Sequence, residues 1–340
     1  MEETLAQAVK IVTNDLYSQS SPSDILRLID SEPNGLATRL GRACLAKVDD
    51  IGRSNAFLSA AKSQPYIFFK EAFDLSSLPD TPIDFSPIPE CEMTVKARLS
   101  TLAIHGLLGF ETISYRSENK GNLFVNLVAR SGAGALAKKS RGPMRGHTDA
   151  ASFPFPKMLD SQFPKISPSP DIVTLIGLRN KDLKKTHIID VIEALKNLDP
   201  KEIAILRGPN FFIECQGTFK DGTKLILSQE HIALSAELVS GSENDISIRF
   251  SHSKVAANPE IDGAVDALKK FTGALTAKHS IAIEPGSILI VNNRKCLHGR
   301  QSPGDAYGGD SRWIMRTYGL KLEFIRENDR YPGNDFQIYP

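Results

Sequence analysis

The chain has 340 residues, 41% of them apolar and 24% charged, which is enough for a substantial core and ordinary for a globular protein. Its 41 basic and 40 acidic side chains are spread along the whole length and give a formal net charge of +1, so no basic stripe marks a nucleic-acid surface. No apolar run approaches the roughly 18 residues of a membrane span, and the opening Glu2 and Glu3 are unlike a secretory leader. Cys44, Cys91, Cys215 and Cys296 lie far apart with no CxxC pair, which reads as reduced, packed thiols and points to the cytoplasm. A small-molecule partner is the default, without nucleic acid or membrane; a homo-oligomer is left open.

Residues 1–65 carry apolar positions at helical spacing, as between Leu36 and Ala61, and predict helices. The proline-rich stretch 74–90 predicts an extended connector. From Val95 to Leu108 the pattern is helical again, with Gly109 as a terminator. Short β-rich pieces follow: Leu123–Ala129, Ile172–Leu178, Ile203–Leu206, Leu225–Leu227, Ile246–Phe250 and Ile288–Val291. Two further helices are predicted, at 186–197 and at 260–276, the latter with Ile261, Val265, Leu268 and Phe271 along one face. Helices that lead and short strands that come late suit a double-sheet sandwich or jelly roll wrapped by helices, mainly β in class. Residues 1–90 are expected to form a helical segment and connector packed on a core of residues 91–340, within one structural domain.

Four long, turn-rich loops stand out at 131–146, 153–170, 251–259 and 300–311. Loops beyond about 12–15 residues are uncommon in compact domains and often serve as lids or binding segments. Two of these flank the pair His147 and Asp149, and a third follows His298. Residues two apart on a strand share a face, so His147 and Asp149 can reach one metal ion, and His298 would complete a triad of two imidazoles and a carboxylate. Taken alone, an H-x-D pair reads first as the polar end of a strand. Arg312 and Arg316 lie on the segment RWIMRTYGL, where they share one face with Ile314. Two inward arginines need anions, either a bound carboxylate or structural Asp and Glu partners.

The stretches GHTDA, DIVTLIGLRN, EPGSILIVNNRKCLHGR and RWIMRTY resemble the clavaminate synthase-like branch of the 2-oxoglutarate oxygenases. Within it the likeness is to the asparagine oxygenase, arginine hydroxylase and lysine hydroxylase group acting on free L-amino acids, and it covers about residues 95–325. The resemblance implies a double-stranded β-helix core, Fe(II) on His147, Asp149 and His298, and 2-oxoglutarate and O2 as cosubstrates. It implies Arg312 for the far carboxylate of 2-oxoglutarate, with a hydroxyl from Thr174. Arg316 would hold the substrate α-carboxylate, and Glu118, with Asn119 beside it, would face the amino group. Loops 153–170 and 251–259 would close over the substrate.

Two departures matter. Asp149 stands where the group often has Glu, and its presence argues against the related halogenases, which lack that carboxylate. Ser251 and Ser253, around His252, stand where the arginine hydroxylases have aspartates for a cationic side chain. Lysine is the first candidate substrate because hydroxylases for it occur in the group, and the missing aspartates count against it. Desaturation or cyclisation on the same fold, or a non-catalytic jelly-roll binding protein, are the alternatives. His105, His187, His231, His279 and Cys296 lack ligand spacing and read as packed, surface or strand-end residues.

Overall fold

The computed structural model describes residues 1–340 except 243, 244 and 277. Helices α1 (Glu2–Gln19), α2 (Pro22–Ser31), α3 (Pro33–Leu45) and α4 (Ile51–Ala61) precede strand β1 (Tyr66–Phe69). Residues 74–90 run without helix or strand to α5 (Glu92–Leu108). Gly109 ends α5 in the left-handed region at φ +71°, where a residue without a Cβ is least strained. Next come β2 (Glu111–Tyr115), β3 (Val125–Val128), α6 (Ala135–Arg141), β4 (Met144–His147), β5 (Ile172–Arg179) and β6 (Lys185–Asp190). The chain continues through α7 (Val191–Leu195), α8 (Pro200–Arg207), β7 (Phe211–Glu214), α9 (Gly217–Leu227), β8 (Ile232–Ala236), β9 (Val239–Ser240), β10 (Ser247–Ile248) and β11 (Val255–Ala257). It closes with α10 (Ala264–Ala274), β12 (His279–Ala282), β13 (Ile288–Asn292), β14 (Cys296–Arg300), β15 (Trp313–Leu320) and β16 (Gln337–Ile338).

Several expected elements are corrected. Residues 203–206 lie inside α8, because Pro200 opens a helix that Asp199 and Glu202 close with a reciprocal capping box. Residues 225–227 are the last turn of α9. The helix expected over 186–197 is strand β6 in its first part, since Thr186, Ile188 and Ile189 find partners in β12 and β14. Only Val191–Leu195 is helical there, capped by the Asp190 carboxylate. In α10 the buried face is Ala264, Ala267 and Phe271, whereas Val265 is exposed and Ile261 lies before the helix begins.

The strands build a large sheet in the order β1-β13-β5-β15-β2-β16, with β3 also pairing β15, and a smaller sheet in the order β12-β6-β14-β4. Period-two alternation sorts their side chains into layers. Val173, Leu175, Leu289, Val291, Ile314 and Tyr318 point from the large sheet toward Ile188 and Cys296 of the small one, and together they form the inner core. The opposite residues of the large sheet, such as Ile176, Ile290, Trp313 and Met315, pack under α1–α5. On the far side of the small sheet, Ile189 and Leu297 pack with α7, α8, α10 and β7. The structure is sheet-rich with helices on both outer faces.

Helices α3 and α5 cross at glycines: a Cβ on Gly106 would stand 1.9 Å from the Ala37 carbonyl oxygen. No helix among the described residues is long and apolar enough to cross a membrane. Because that crossing leaves no space, Gly106→Val should separate α3 from α5 and cost roughly 1–3 kcal/mol or more. Urea unfolding measures this, and an unchanged midpoint would refute the packing.

Candidate metal centre and active site

The site begins with two strands that meet. His147 on β4 and His298 on β14 sit directly opposite each other in the small sheet. Glycines permit the approach: a Cβ on Gly299 would lie 2.5 Å from the Met144 carbonyl oxygen, and one on Gly146 would lie 2.6 Å from Ile189 Cδ1. The two imidazole rings come to 4.4 Å between centroids. Asp149 lies past the end of β4, and Ala150 turns the chain with φ +54°.

Neighbouring groups hold this segment by its backbone. Asn293, in the β13–β14 turn, accepts from the Asp149 N–H at 2.8 Å and donates to the Asp149 carbonyl at 3.1 Å. Gln216 donates to the Thr148 carbonyl at 2.9 Å, and the Thr148 N–H donates to Phe250 at 2.8 Å. His147 Nδ1 lies 2.9 Å from the Arg145 carbonyl. That contact requires the proton on Nδ1 and leaves the Nε2 lone pair for a metal. Asp149 Oδ1 stands 3.4 Å from His147 Nε2 and 3.9 Å from His298 Nε2, and the three ligand atoms all lie within 4.8 Å of one another. Two imidazoles and one carboxylate on one side, with space on the other, form a donor set suited to Fe(II) with open positions.

The electrostatics agree with that use. Burial opposes the Asp149 charge, yet the neighbouring His147 and the positive Arg316 outweigh it and hold the carboxyl well below its usual range. Burial and the neighbouring His147 push His298 down to about 3, so its imidazole is neutral and able to ligate. Arg316 donates to Glu118 Oε2 at 2.6 Å and to Asp149 Oδ2 at 3.4 Å, so Asp149 turns one oxygen to the arginine and the other to the histidines. Glu118 is buried, and its Oε1 has no hydrogen-bond partner among the described residues. Burial disfavours the Arg316 charge, but Glu118 and Asp149 more than offset it and raise its pKa.

A cavity of about 510 Å³ opens over the three ligands. Arg312, Ile314 and Arg316 line it together, as their shared strand face requires. Arg312 has no carboxylate partner among the described residues. Burial and the nearby Arg300 push its pKa down to about 9, which records the cost of an uncompensated cation and not a loss of charge. Ser251, His252 and Ser253 also line the cavity, and Asp149 is the one carboxylate among the lining residues.

Three expectations fail on geometry. Thr174 is on the helix side of the large sheet, because its neighbour Leu175 faces the cavity; its hydroxyl bonds His105 Nε2 at 2.7 Å. Thr186 of β6, opposite Arg300, is among the hydroxyls that do line the cavity. Asn119 is half-buried in a tight turn and does not line the cavity. Loop 153–170 contributes nothing to the cavity wall and is tied down elsewhere, with Asp160 2.9 Å from a buried His231. The wall is lined by α6 and residues 143–145, and by Ser251, His252 and Ser253 of the loop 251–259. Thr186 was hidden by the helical reading of its strand. Arg300 was legible as the residue two places beyond His298. Asn293 carries no motif.

No family model matches the chain. In sequence it is 23% identical over 273 residues to an L-lysine 3-hydroxylase of Catenulispora acidiphila, covering 79% of this chain and 70% of that protein. Among solved structures it is similar to asparagine oxygenase with Fe(II), 2S,3S-3-hydroxyasparagine and succinate, at TM-score 0.75 and 20% identity over 100% of this chain and 98% of that one. This is the fold of the non-haem iron oxygenases. The oxygenase OrfP with Fe, succinate and (3S)-hydroxy-L-Arg aligns at TM-score 0.74 and 19% identity, covering 98% and 97%. OrfP with Fe and alpha-ketoglutaric acid aligns at 0.68 and 18%, covering 93% and 92%. The resemblance read from the sequence is thus met by a sequence relative and by structures of amino-acid oxygenases.

Anaerobic titration with Fe(II) should show one tight site in the wild type, weakened at least about a hundredfold by His298→Ala; undiminished affinity would remove His298 from the ligand set. Glu118→Ala should destabilise the fold by about 3 kcal/mol, as it leaves Arg316 buried beside a single longer contact, and thermal unfolding would reveal a smaller cost if the pair is dispensable.

Proposed function

We propose that the protein is an Fe(II)- and 2-oxoglutarate-dependent dioxygenase that hydroxylates an unactivated carbon of a free L-amino acid, releasing succinate and CO2. The observation that carries this reading is the pairing, in one cavity, of a two-histidine, one-carboxylate cluster with an arginine that has no carboxylate of its own. The sandwich of large and small sheets is, in this reading, a double-stranded β-helix or jelly-roll core of residues 91–340, with residues 1–90 packed on its outer face as part of one domain. Relatives carrying iron with succinate and a hydroxylated amino acid, or with alpha-ketoglutaric acid, support it. Four unpaired cysteines fit a cytoplasmic setting.

Iron, 2-oxoglutarate and O2 would supply the oxidising chemistry once bound, and the protein's own groups orient and shield it. His147, Asp149 and His298 hold the metal on one side and leave the cavity side open. Arg312 takes the far carboxylate of the oxoacid in a bidentate fork, with Thr186 supplying a hydroxyl. Arg316 takes the α-carboxylate of the amino acid, and Glu118, buried behind it and outside the cavity lining, holds that guanidinium through its Oε2 instead of meeting the ammonium. Ser251 and Ser253 meet the side chain. Leu127, Val128, Leu175 and Ile314 make one stretch of the wall apolar and limit access of water there.

Lysine is the first substrate to test, since the sequence relative is named for it. In the presence of Fe(II), 2-oxoglutarate and ascorbate, one L-amino acid from the proteinogenic set should gain the mass of one oxygen atom with matching succinate release. A product lighter by two hydrogens would replace hydroxylation with desaturation. Silence across the set, with no metal-to-oxoacid absorption band, would favour a binding protein instead. Arg312→Gln should raise the KM for 2-oxoglutarate roughly tenfold to a hundredfold, because it removes a charged two-point contact.

A further inference from the structure

Arg300 has no role in the reading above, yet it occupies a distinctive place. It ends β14, two residues beyond His298, so it faces the same cavity. Its Nη2 donates to the Lys139 carbonyl at 3.1 Å and to the Ser140 carbonyl at 2.7 Å, both at the C-terminal end of α6. Its other N–H groups have no protein acceptor among the described residues. Arg312 is its cationic neighbour in the wall, and among the described residues no acidic side chain compensates either arginine. Two guanidinium groups without a counter-ion in one wall raise the free energy of the empty site, and a carboxylate within reach of both relieves it.

The cavity roof over this end is the segment that Arg300 grips. Leu136, Lys139 and Ser140 of α6 line the cavity, followed by Pro143, Met144 and Arg145. A second clip holds the same segment without a charge: Ser302 Oγ donates to the Arg141 carbonyl at 2.6 Å. We propose that Arg300 is a second positioning residue for the dicarboxylate, with one edge of its guanidinium on the anion and the other on the α6 carbonyls. Occupation of the anion site is thereby coupled to docking of α6 over the cavity. An arriving carboxylate fixes the guanidinium plane, and a fixed plane holds both backbone contacts in line. The residues 135–142 then form a cover that closes when the cosubstrate is present, which protects the metal side of the cavity from water.

This inference rests on the 2-oxoglutarate reading, so the test separates the two. Glutarate carries both carboxylates without the keto group and needs no metal; it is titrated alongside 2-oxoglutarate with Fe(II) under argon, and amide exchange is followed over 135–142. Either ligand should slow exchange there at least about fivefold in the wild type. Arg300→Gln should abolish that protection and weaken both ligands roughly tenfold or more, with Arg300→Lys recovering part of the affinity. Ser302→Ala loosens the same segment while leaving the charge, and should leave affinity within about threefold. Equal losses in S302A and R300Q would make Arg300 only a structural clip and overturn the proposal. So would protection that persists in R300Q. If the wild type binds neither ligand, the oxoacid reading itself falls, and this proposal falls with it.

Discussion

The site depends on the close meeting of two strands, β4 and β14, at His147 and His298. Directly opposite residues of an antiparallel pair lie close together, and here Gly299 leaves room for the β4 backbone while Gly146 leaves room for Ile189 and Leu297. Once the histidines face each other, one carboxylate suffices to complete a metal-binding face. Asp149 reaches it from beyond the strand because Asn293, Gln216 and Phe250 hold the backbone of 148–149 from three sides. The polar groups that build the site are therefore mostly backbone clamps, and the ligands themselves are few.

Charge is arranged around that face in two different ways. Arg316 is already compensated by Glu118 and Asp149, which makes it part of the architecture as well as a candidate contact for substrate. Arg312 and Arg300 are not compensated, and the region they share is where an external anion is most strongly favoured. The cavity thus has a neutralised end close to His147, Asp149 and His298 and a cationic end beside α6. The wall around Ser251, His252 and Ser253 is polar without being acidic.

Much of the fold was legible because period and punctuation coincide in the sequence. The apolar spacing of α5 with Gly109, the prolines of 74–90, and the β-branched runs at 172–178 and 288–291 each carry one dominant local signal. Errors fell where a local signal competed with a partner distant in sequence. Thr186, Ile188 and Ile189 fit a helix as well as a strand until β12 and β14 pair with them from about a hundred residues away. In α8, a proline and a capping box outweighed a β-rich cluster.

By itself the sequence determined the metal triad candidates, the two arginines on one strand face and the sheet-rich, helix-flanked class. Strand alternation is local and put the two arginines on one face, while the triad candidates came from the resemblance of the motifs; Asp149 lies beyond β4 and is brought to the histidines by the fold. Tertiary structure alone decided that Thr174 turns away to His105 while Thr186 enters the cavity, and that Arg316 is paired while Arg312 is bare. It also placed α6, and not loop 153–170, over the site. These outcomes depend on which sheet face meets which neighbour and on where opposite charges meet in the fold, and neither is encoded within a few residues of chain.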